Sequence, residues 1–221
     1  MIETVKIVDL SLVVNKDTPI YPGDPKPSMS VATTIENEGY NLFNLNIGSQ
    51  TGSHIDAPYH FDNQGLTVDK INLKLCFGLG LVIDVSYKEK NEKITIKDIH
   101  PYADQIPGCN IVLFKTNWDS KKDTEEFFEH PYLSIEGAEY LLREGIKTLA
   151  IDTINLDKTG GSSFPVHDLY AKAEGIIAEN LANFNKIDFN NPIISILPLN
   201  LDKCDGSPVR AVAIQMNTTK N

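Results

Sequence analysis

Short apolar runs separated by turn residues form the hydrophobic pattern of this chain of 221 residues. Runs of this kind, rich in β-branched residues, are typical of β-strands. The pattern predicts strands over residues 5–14, 28–35, 41–48, 80–86, 110–116, 147–153, 193–199 and 209–215. The third of these runs ends directly before a polar stretch at residues 50–60, so we expect that stretch to follow a strand.

Helical patterns lie between the central strands and are predicted over residues 95–106, 123–129 and 134–144. In the last of them Ser134 is a suitable N-cap, Glu136 favours the first turn and Gly145 stands where helices commonly stop. The alternation of buried strands with short helices predicts an α/β fold, to which the strand-rich ends of the chain add a second sheet. The sequence has no repeats or linkers and predicts a single compact domain over residues 1–221.

Two loops stand out by composition. Residues 21–25 read Tyr-Pro-Gly-Asp-Pro, which contains too much proline for regular structure. Residues 159–163 read Thr-Gly-Gly-Ser-Ser and predict a mobile polar loop. Neither loop has a pattern that identifies a ligand without further information.

Four further polar features have simple structural interpretations. Residues 205–208 predict a turn, and we expect Arg210 to form a buried ion pair rather than to bind a substrate carboxylate. His100 and His130 each precede a proline, so both are expected to end helices, where a partial positive charge is favourable.

Charge and cysteine content exclude several classes of function. The 30 acidic and 20 basic residues give a net charge of −10, which argues against a nucleic-acid partner because such binding needs a clustered positive field. Cys76, Cys109 and Cys204 are far apart, so neither a disulfide framework nor a thiolate zinc site is expected. The absence of a signal-peptide pattern and of long apolar runs predicts a cytoplasmic protein without a membrane segment.

The stretch at residues 50–60 contains two of the five histidines, with an aspartate between them. Imidazole and carboxylate are the ligands that borderline divalent metals select. Gly52 and Pro58 both oppose a helix, and in an extended chain His54 and Asp56 project to the same side. Ten extended steps would span about 33 Å, too far for one metal, so we expect the chain to bend at Gly52 and Pro58.

Spacing alone leaves two interpretations open: a metal site, or a loop in which these side chains hydrogen-bond to one another. The stretch reads Gln50-x-Gly52-Ser53-His54-x-Asp56-x-Pro58-x-His60. It resembles His-x-Gly-Thr-His-x-Asp-x-Pro-x-His, the signature of the cyclase family of metal-dependent hydrolases, which includes bacterial kynurenine formamidases and isatin hydrolases. Further similarity follows in family order at residues 21–24, 128–133, 150–153, 179–181 and 205–210.

The resemblance implies a set of metal ligands. His54 and Asp56 would be ligands, Gln50 takes the place of a ligand histidine, and His167 with Glu179 would complete the site. The implied cofactor is a divalent metal, zinc or manganese, with one or two ions per chain. Because an amide oxygen is a weaker donor than an imidazole nitrogen, the glutamine predicts one firm metal position and a second that is weak or absent. The alternative is that Gln50 hydrogen-bonds beside the ligands without changing the number of bound ions.

The resemblance also implies roles in catalysis and substrate binding. His60 would donate and accept the proton, which suits a histidine because its ordinary pKa is near 6.5. Tyr21 would line the substrate pocket, whereas the sequence alone favours a half-buried aromatic without such a role. The implied fold is a compact α/β domain with a central β-barrel-like core and surrounding helices, of the swivelling β/β/α type, assembled into homodimers or tetramers.

The reaction implied by the resemblance is hydrolysis of a C–N bond in a small amide or formamide by metal-activated water. An arylformamidase that converts N-formylkynurenine to kynurenine and formate is the best-known case. A hydrolase of lactones or other cyclic esters is an alternative, and so is a metal-free protein that has kept the pocket and binds a small molecule. Serine or cysteine nucleophile chemistry is disfavoured, because the chain has no Gly-x-Ser-x-Gly motif and none of its cysteines is next to a histidine.

Overall fold

A computed structural model describes residues 2–218 of the chain. Its strands are β1 (Ile2–Asp9), β2 (Ser28–Thr33), β3 (Leu42–Asn46), β4 (His54–Asp56), β5 (Phe77–Asp84), β6 (Lys93–Ile94), β7 (Ile111–Lys115), β8 (Tyr132–Leu133), β9 (Thr148–Ile151), β10 (Ile176–Glu179), β11 (Ile193–Ser195), β12 (Gly206–Pro208) and β13 (Val212–Thr218). Its α-helices are α1 (Ile35–Glu38), α2 (Ile96–Ile99), α3 (Ile135–Arg143) and α4 (Pro165–Lys172). Short 3₁₀ helices cover Pro58–His60, Leu73–Leu75, His100–Gln105, Trp118–Lys121, Glu125–Glu129 and Phe184–Lys186.

Nine strands form one mixed sheet in the order β1-β13-β11-β5-β7-β9-β10-β4-β12. The four central strands, β5, β7, β9 and β10, run parallel, as expected for apolar strands connected by helices. Antiparallel strands flank them on both sides: β11, β13 and β1 beyond β5, and β4 and β12 beyond β10. The fold is therefore mixed α/β with a large central sheet.

Isolated bridges show that the sheet curls, since they join chain segments that lie far apart in the strand order. Ser11, just after β1, bridges to Leu181, just after β10. Pro198, shortly after β11, bridges to Val209, just after β12. These contacts bring strands from opposite halves of the sheet together, in agreement with the expected barrel-like core.

The core has two main apolar clusters on opposite faces of the sheet. One lies inside the curl and includes Ile55, Ala178 and Ile194. The other lies between the parallel strands and the helices and includes Leu141 of α3 and Tyr170 of α4. Within residues 2–218 no helix is both long enough and apolar enough to cross a membrane.

The predicted strands and helices largely form where the sequence places them, but several bounds differ. The helix expected over residues 95–106 divides into α2 and a 3₁₀ helix, and residues 125–129 are 3₁₀ rather than α-helical. The expected second sheet does not form as a separate layer. Strand β5 pairs with both β7 and β11, so the flanking strands extend the central sheet. Two small two-stranded sheets, β2-β3 and β6-β8, lie outside it. The sequence analysis did not predict α4 or β10.

Two structural interpretations of single polar features were wrong. Residues 206–208 form β12, which pairs with β4, rather than a turn. His130 does follow a helix, but its ring is buried, and burial lowers its pKa to about 4, so it carries no useful positive charge. His100 directly follows α2, as expected.

Candidate functional site

Strand β4 places the central motif between β10 and β12. His54 lies opposite Glu179 of β10, and Asp56 lies two residues further along the same strand. Residues that pair directly across strands share a face, so these three side chains project to the same side of the sheet. Helix α4 packs near this face and contributes His167. The strand conformation predicted for this part of the motif is confirmed.

The chain bends on both sides of β4, as predicted. Gly52 has a φ of +67°, a left-handed conformation that glycine adopts without steric cost. Pro58 begins a 3₁₀ helix that ends at His60. The two bends shorten the motif, so its ends return to the same cavity rather than lying about 33 Å apart.

Two imidazoles and two carboxylates form a buried cluster at this point. His54 Nε2 lies 3.5 Å from Asp56 Oδ1 and 3.7 Å from Glu179 Oε2. His167 Nε2 lies 3.4 Å from Asp56 Oδ2 and 3.1 Å from Glu179 Oε1. Each of the four residues is at most 5% exposed. The structure therefore brings together four of the five predicted metal ligands.

Hydrogen bonds on the far side of each ring fix which nitrogen faces the cluster. His54 Nδ1 donates to the carbonyl oxygen of Gly52 at 2.8 Å, and His167 Nδ1 donates to Asp157 Oδ2 at 2.8 Å. In the neutral rings the Nε2 lone pairs therefore point towards the carboxylates, which is the orientation that a metal ligand needs.

The sequence analysis did not identify Asp157. Its carboxylate also accepts hydrogen bonds from the backbone N–H groups of Val166 and His167 in the first turn of α4. It therefore fixes both the start of the helix and the ring that the helix carries. The only signal in the sequence was an aspartate in the loop before a helix that begins with proline.

The residues present suit a divalent cation. Asp56 Oδ1 is buried and has no hydrogen-bond partner among residues 2–218, although a buried carboxylate oxygen is costly to leave unpaired. Burial would lower the pKa of His167, but the negative charge of Glu179 and the hydrogen bonds to Asp157 and Asp56 raise it well above its usual value. The cluster thus favours positive charge at its centre. His54, Asp56 and Glu179 each offer one ligand atom, and these atoms lie within 4.8 Å of one another, while His167 borders the group through Glu179. Nitrogen and carboxylate donors of this kind match the preferences of zinc and similar ions.

Gln50 lies at the edge of this cluster and its amide is already engaged. Its Nε2 donates to Asp205 Oδ2 at 2.9 Å, while its Oε1 is buried without a hydrogen-bond partner among the described residues. The amide also lies against Gly206, where a Cβ atom would come within 2.6 Å of Gln50 Nε2. Whether Oε1 serves as a metal ligand stays a prediction.

His60 stands beside the cluster and is held by an acid. Its Nδ1 donates to Asp205 Oδ2 at 2.8 Å, and Ser49 Oγ donates to Asp205 Oδ1 at 2.8 Å. Burial would lower the pKa of His60, but the charge of Asp56 and the hydrogen bond to Asp205 outweigh it and raise the pKa. In turn, the hydrogen bond from His60 holds the pKa of Asp205 well below its usual value. The sequence analysis assigned Asp205 to a structural turn and missed this contact.

An aromatic wall borders the cavity that contains the cluster. The ring centroids of Phe61 and Phe164 are 5.3 Å apart, and Tyr21 contacts Phe164 edge-on at 6.1 Å. The Tyr21 hydroxyl accepts a hydrogen bond from the backbone N–H of Gly160, in the glycine-bearing loop. Asp24 also lines the cavity, and burial raises its pKa. Tyr21 thus borders the cavity, and its contact with a substrate stays a prediction.

Arg210 lies outside the cavity. It forms a bidentate ion pair with Asp9, with Nε–Oδ1 and Nη2–Oδ2 distances of 2.9 and 2.6 Å. The side chain of Arg210 is 77% exposed, so the ion pair forms as predicted but at the surface rather than in the interior.

Comparison with known proteins places these features in a family. Residues 8–158 match the family described as putative cyclase. The kynurenine formamidase of Bacillus mycoides (strain KBAB4) is 32% identical over 212 residues, which cover 95% of this chain and 98% of that protein. The kynurenine formamidase of Bacillus cytotoxicus is 30% identical over 207 residues, covering 93% and 95%.

Solved structures show the same fold. A crystal structure of an isatin hydrolase bound to the product analogue thioisatinate superposes with a TM-score of 0.87 at 23% identity, covering 97% of this chain and 92% of that one. A predicted metal-dependent hydrolase from Bacillus stearothermophilus superposes with a TM-score of 0.74 at 25% identity, covering 95% and 98%. The family match over residues 8–158 and the relatives of 30% and 32% identity establish that the chain belongs to the putative cyclase family.

Proposed function

We propose that this protein is a metal-dependent hydrolase of the arylformamidase type, which cleaves the C–N bond of a small formamide. The observation that carries the proposal is the buried cluster of His54, Asp56, His167 and Glu179, with its ring nitrogens oriented towards two carboxylates. Relatives named kynurenine formamidase, matched over nearly the whole chain, support the choice of substrate class. N-formylkynurenine is the leading candidate substrate.

The four clustered residues would hold a divalent metal, with zinc or manganese as the proposed ion. When bound, such an ion makes water acidic enough to supply hydroxide near neutral pH. Gln50 would serve a second, weaker position through its unpaired Oε1, so we propose one firm ion and at most one weak one per chain.

His60 is the proposed proton carrier. Because its Nδ1–H is held by Asp205, Nε2 is the nitrogen left to exchange protons with the reactants. It takes a proton from the attacking water as the new C–O bond forms. It returns that proton to the departing nitrogen as the C–N bond breaks, so the products are formate and a free amine.

The walls of the cavity suit an aromatic substrate. Tyr21, Phe61 and Phe164 offer ring faces and edges against which an aryl group can pack, which favours an aryl formamide over an aliphatic one. None of the cavity-lining residues within the described part of the chain is a lysine or arginine. A substrate held chiefly by a negative charge is therefore disfavoured.

The alternatives predict different activities. A lactone hydrolase would use the same proton carrier, so the structure is compatible with lactone hydrolysis. No observation favours a lactone over a formamide. A metal-free binding protein would not need four ionisable groups buried against one another, because their burial without a cation is costly.

A substrate panel tests the proposal. The purified protein, loaded with zinc or manganese, is offered N-formylkynurenine, a simple aryl formamide, an aliphatic formamide and an aryl lactone, and release of each product is measured. We expect the two aryl formamides to be hydrolysed with the highest kcat/KM. Preference for the lactone, or no turnover of any formamide by metal-loaded protein, would contradict the proposal.

The remaining proposals concern organisation and location. We propose that residues 1–221 form one domain, that the protein assembles as a homodimer or tetramer, and that it acts in the cytoplasm. The three free cysteines support a reducing compartment.

A further inference from the structure

Asn180 directly follows Glu179 in the chain and lines the same cavity as the buried cluster. Its backbone is in the left-handed conformation, with a φ of +53°. A residue with a side chain adopts this conformation at a cost, although asparagine does so more readily than most. Backbone positions of this kind cluster at active sites and ligand clamps. The conformation of Asn180 therefore points to a role in the cavity.

Both backbone groups of Asn180 are already hydrogen-bonded. Its N–H donates to the carbonyl oxygen of Thr153 at 2.8 Å, and its own carbonyl oxygen accepts a hydrogen bond from Ser53 Oγ. These bonds fix the point at which the side chain leaves the backbone. The side-chain amide is therefore the group through which Asn180 would meet a ligand.

The side-chain amide of Asn180 is buried and leaves an acceptor unused. The residue is 2% exposed, and its Oδ1 has no hydrogen-bond partner among residues 2–218. A buried acceptor without a partner is costly, so most such atoms in proteins are paired. Asn155, which also lines the cavity, follows this rule because its Oδ1 accepts a hydrogen bond from the backbone N–H of Asp157 at 2.7 Å. The protein thus offers Asn180 Oδ1 to a donor from outside.

Two other residues of the cavity wall have buried oxygen atoms without partners in the described part of the chain. They are Asp56, through Oδ1, and Gln50, through Oε1. The proposed metal positions would engage both of these atoms. Asn180 has no such assignment, and a neutral amide oxygen is well suited to a neutral N–H donor. The N–H group of a small amide substrate is a donor of this kind.

We propose that Asn180 Oδ1 accepts a hydrogen bond from the N–H of the scissile amide and thereby selects amides over esters. This inference rests on the proposed function, because the formamide supplies the N–H. In a lactone or a formate ester an oxygen atom replaces the N–H group, so Oδ1 would face another acceptor and stay unpaired. A site built to bind an N–H group discriminates against an analogue that lacks it. Asn180 is thus a residue that sets specificity, distinct from the proton carrier His60.

Formanilide and phenyl formate form a matched pair of substrates, because they differ only in the N–H group that oxygen replaces. We measure kcat/KM for both substrates on metal-loaded wild type and Asn180→Gly. Glycine removes the amide and adopts the left-handed backbone without strain. The amide-to-ester ratio of kcat/KM should fall by about 10-fold or more in this variant. Asn180→Asp keeps an acceptor oxygen at the same position, so it should keep the wild-type ratio.

Asn183→Gly is the matched control, because Asn183 has a similar φ of +61° and is not among the described residues that line the cavity. Its amide-to-ester ratio should equal that of wild type, and all four proteins should bind the same amount of metal. Circular dichroism establishes that each variant is folded.

A folded Asn180→Gly protein with the wild-type ratio would overturn the inference. So would an Asn180→Asp protein whose ratio falls as far as that of Asn180→Gly. Loss of metal from Asn180→Gly would also overturn it, because Asn180 would then be a metal ligand. A wild-type protein that hydrolyses no formamide would refute the proposed function together with this inference, whereas an unchanged ratio in an active formamidase would refute this inference alone.

Discussion

His60 Nδ1 lies 2.8 Å from Asp205 Oδ2, although 145 residues separate the two in the chain. The carboxylate holds the ring in one orientation and leaves Nε2 for proton exchange. The same oxygen accepts a hydrogen bond from Gln50, and the other carboxylate oxygen accepts one from Ser49. Proton transfer in the proposed reaction therefore depends on a residue that neither contributes to the metal cluster nor belongs to the motif.

Asp205→Asn should lower kcat by about 100-fold while leaving the bound metal unchanged, because the ring loses its orienting charge. Ser49→Ala, which removes a single hydrogen bond to the other carboxylate oxygen, should lower kcat by less than about 10-fold. Steady-state kinetics together with metal analysis of both variants checks this. Equal kcat values for Asp205→Asn and wild type would remove Asp205 from the mechanism.

His60→Ala should retain the metal and lose turnover by about 10²- to 10⁴-fold, the usual contribution of a general base. His54→Ala should lose both metal and activity, because it removes a direct ligand. Metal content and kcat are measured on the same preparations. If His60→Ala lost its metal, His60 would be a ligand rather than the proton carrier.

Gln50→His should increase the affinity of the weaker metal position, since imidazole nitrogen is a stronger donor than amide oxygen. The substitution also removes the amide hydrogen bond to Asp205, so kcat need not rise. Titration of metal into stripped wild-type and variant protein counts the bound ions. Two tight ions in the wild type, or identical isotherms for the two proteins, would show that Gln50 does not limit metal binding.

His130 predicts a specific dependence of stability on pH. Burial lowers its pKa to about 4 in the folded protein, whereas an unfolded chain has a histidine pKa near 6.5. Between these values the unfolded state binds the extra proton, so stability falls as pH drops, by about 1.4 kcal/mol per pH unit from this residue.

Urea unfolding of wild type and His130→Gln between pH 4 and 6.5 gives the free energy of unfolding at each pH. The contribution of His130 is the difference between the two proteins in the slope of that free energy against pH. The free energy of unfolding of His130→Gln should therefore fall less steeply than that of wild type as pH drops, whatever the stability of the variant at neutral pH. A His130→Gln protein with the wild-type slope would contradict the assignment of a neutral buried ring.

Local signals in the sequence were enough to predict much of the site. Gly52 and Pro58 indicated the bends on either side of β4, and strand geometry indicated that His54 and Asp56 share a side. Apolar runs identified three of the four parallel strands, β5, β7 and β9. Ser134 marked the start of α3, where its side chain accepts a hydrogen bond from the backbone N–H of Gly137. These features depend on neighbours in the chain, which the sequence displays directly.

Features that depend on tertiary contacts were not predictable in this way. Asp205 reaches His60 because β12 pairs with β4, and residues 206–208 contain a glycine and a proline that indicated a turn. Strand β10 has four residues, too few for a clear periodic pattern, and His130 is neutral only because surrounding elements bury it. His167 and Glu179 were expected from the family resemblance and not from their spacing.

Dependence of activity on bound metal is the central claim, and one titration tests it. Protein stripped by a chelator is titrated with zinc or manganese while bound metal and aryl formamide hydrolysis are measured in the same samples. We predict that the stripped protein is inactive and that activity returns in proportion to the first ion bound per chain. Full activity in protein whose measured metal content is near zero would contradict the account.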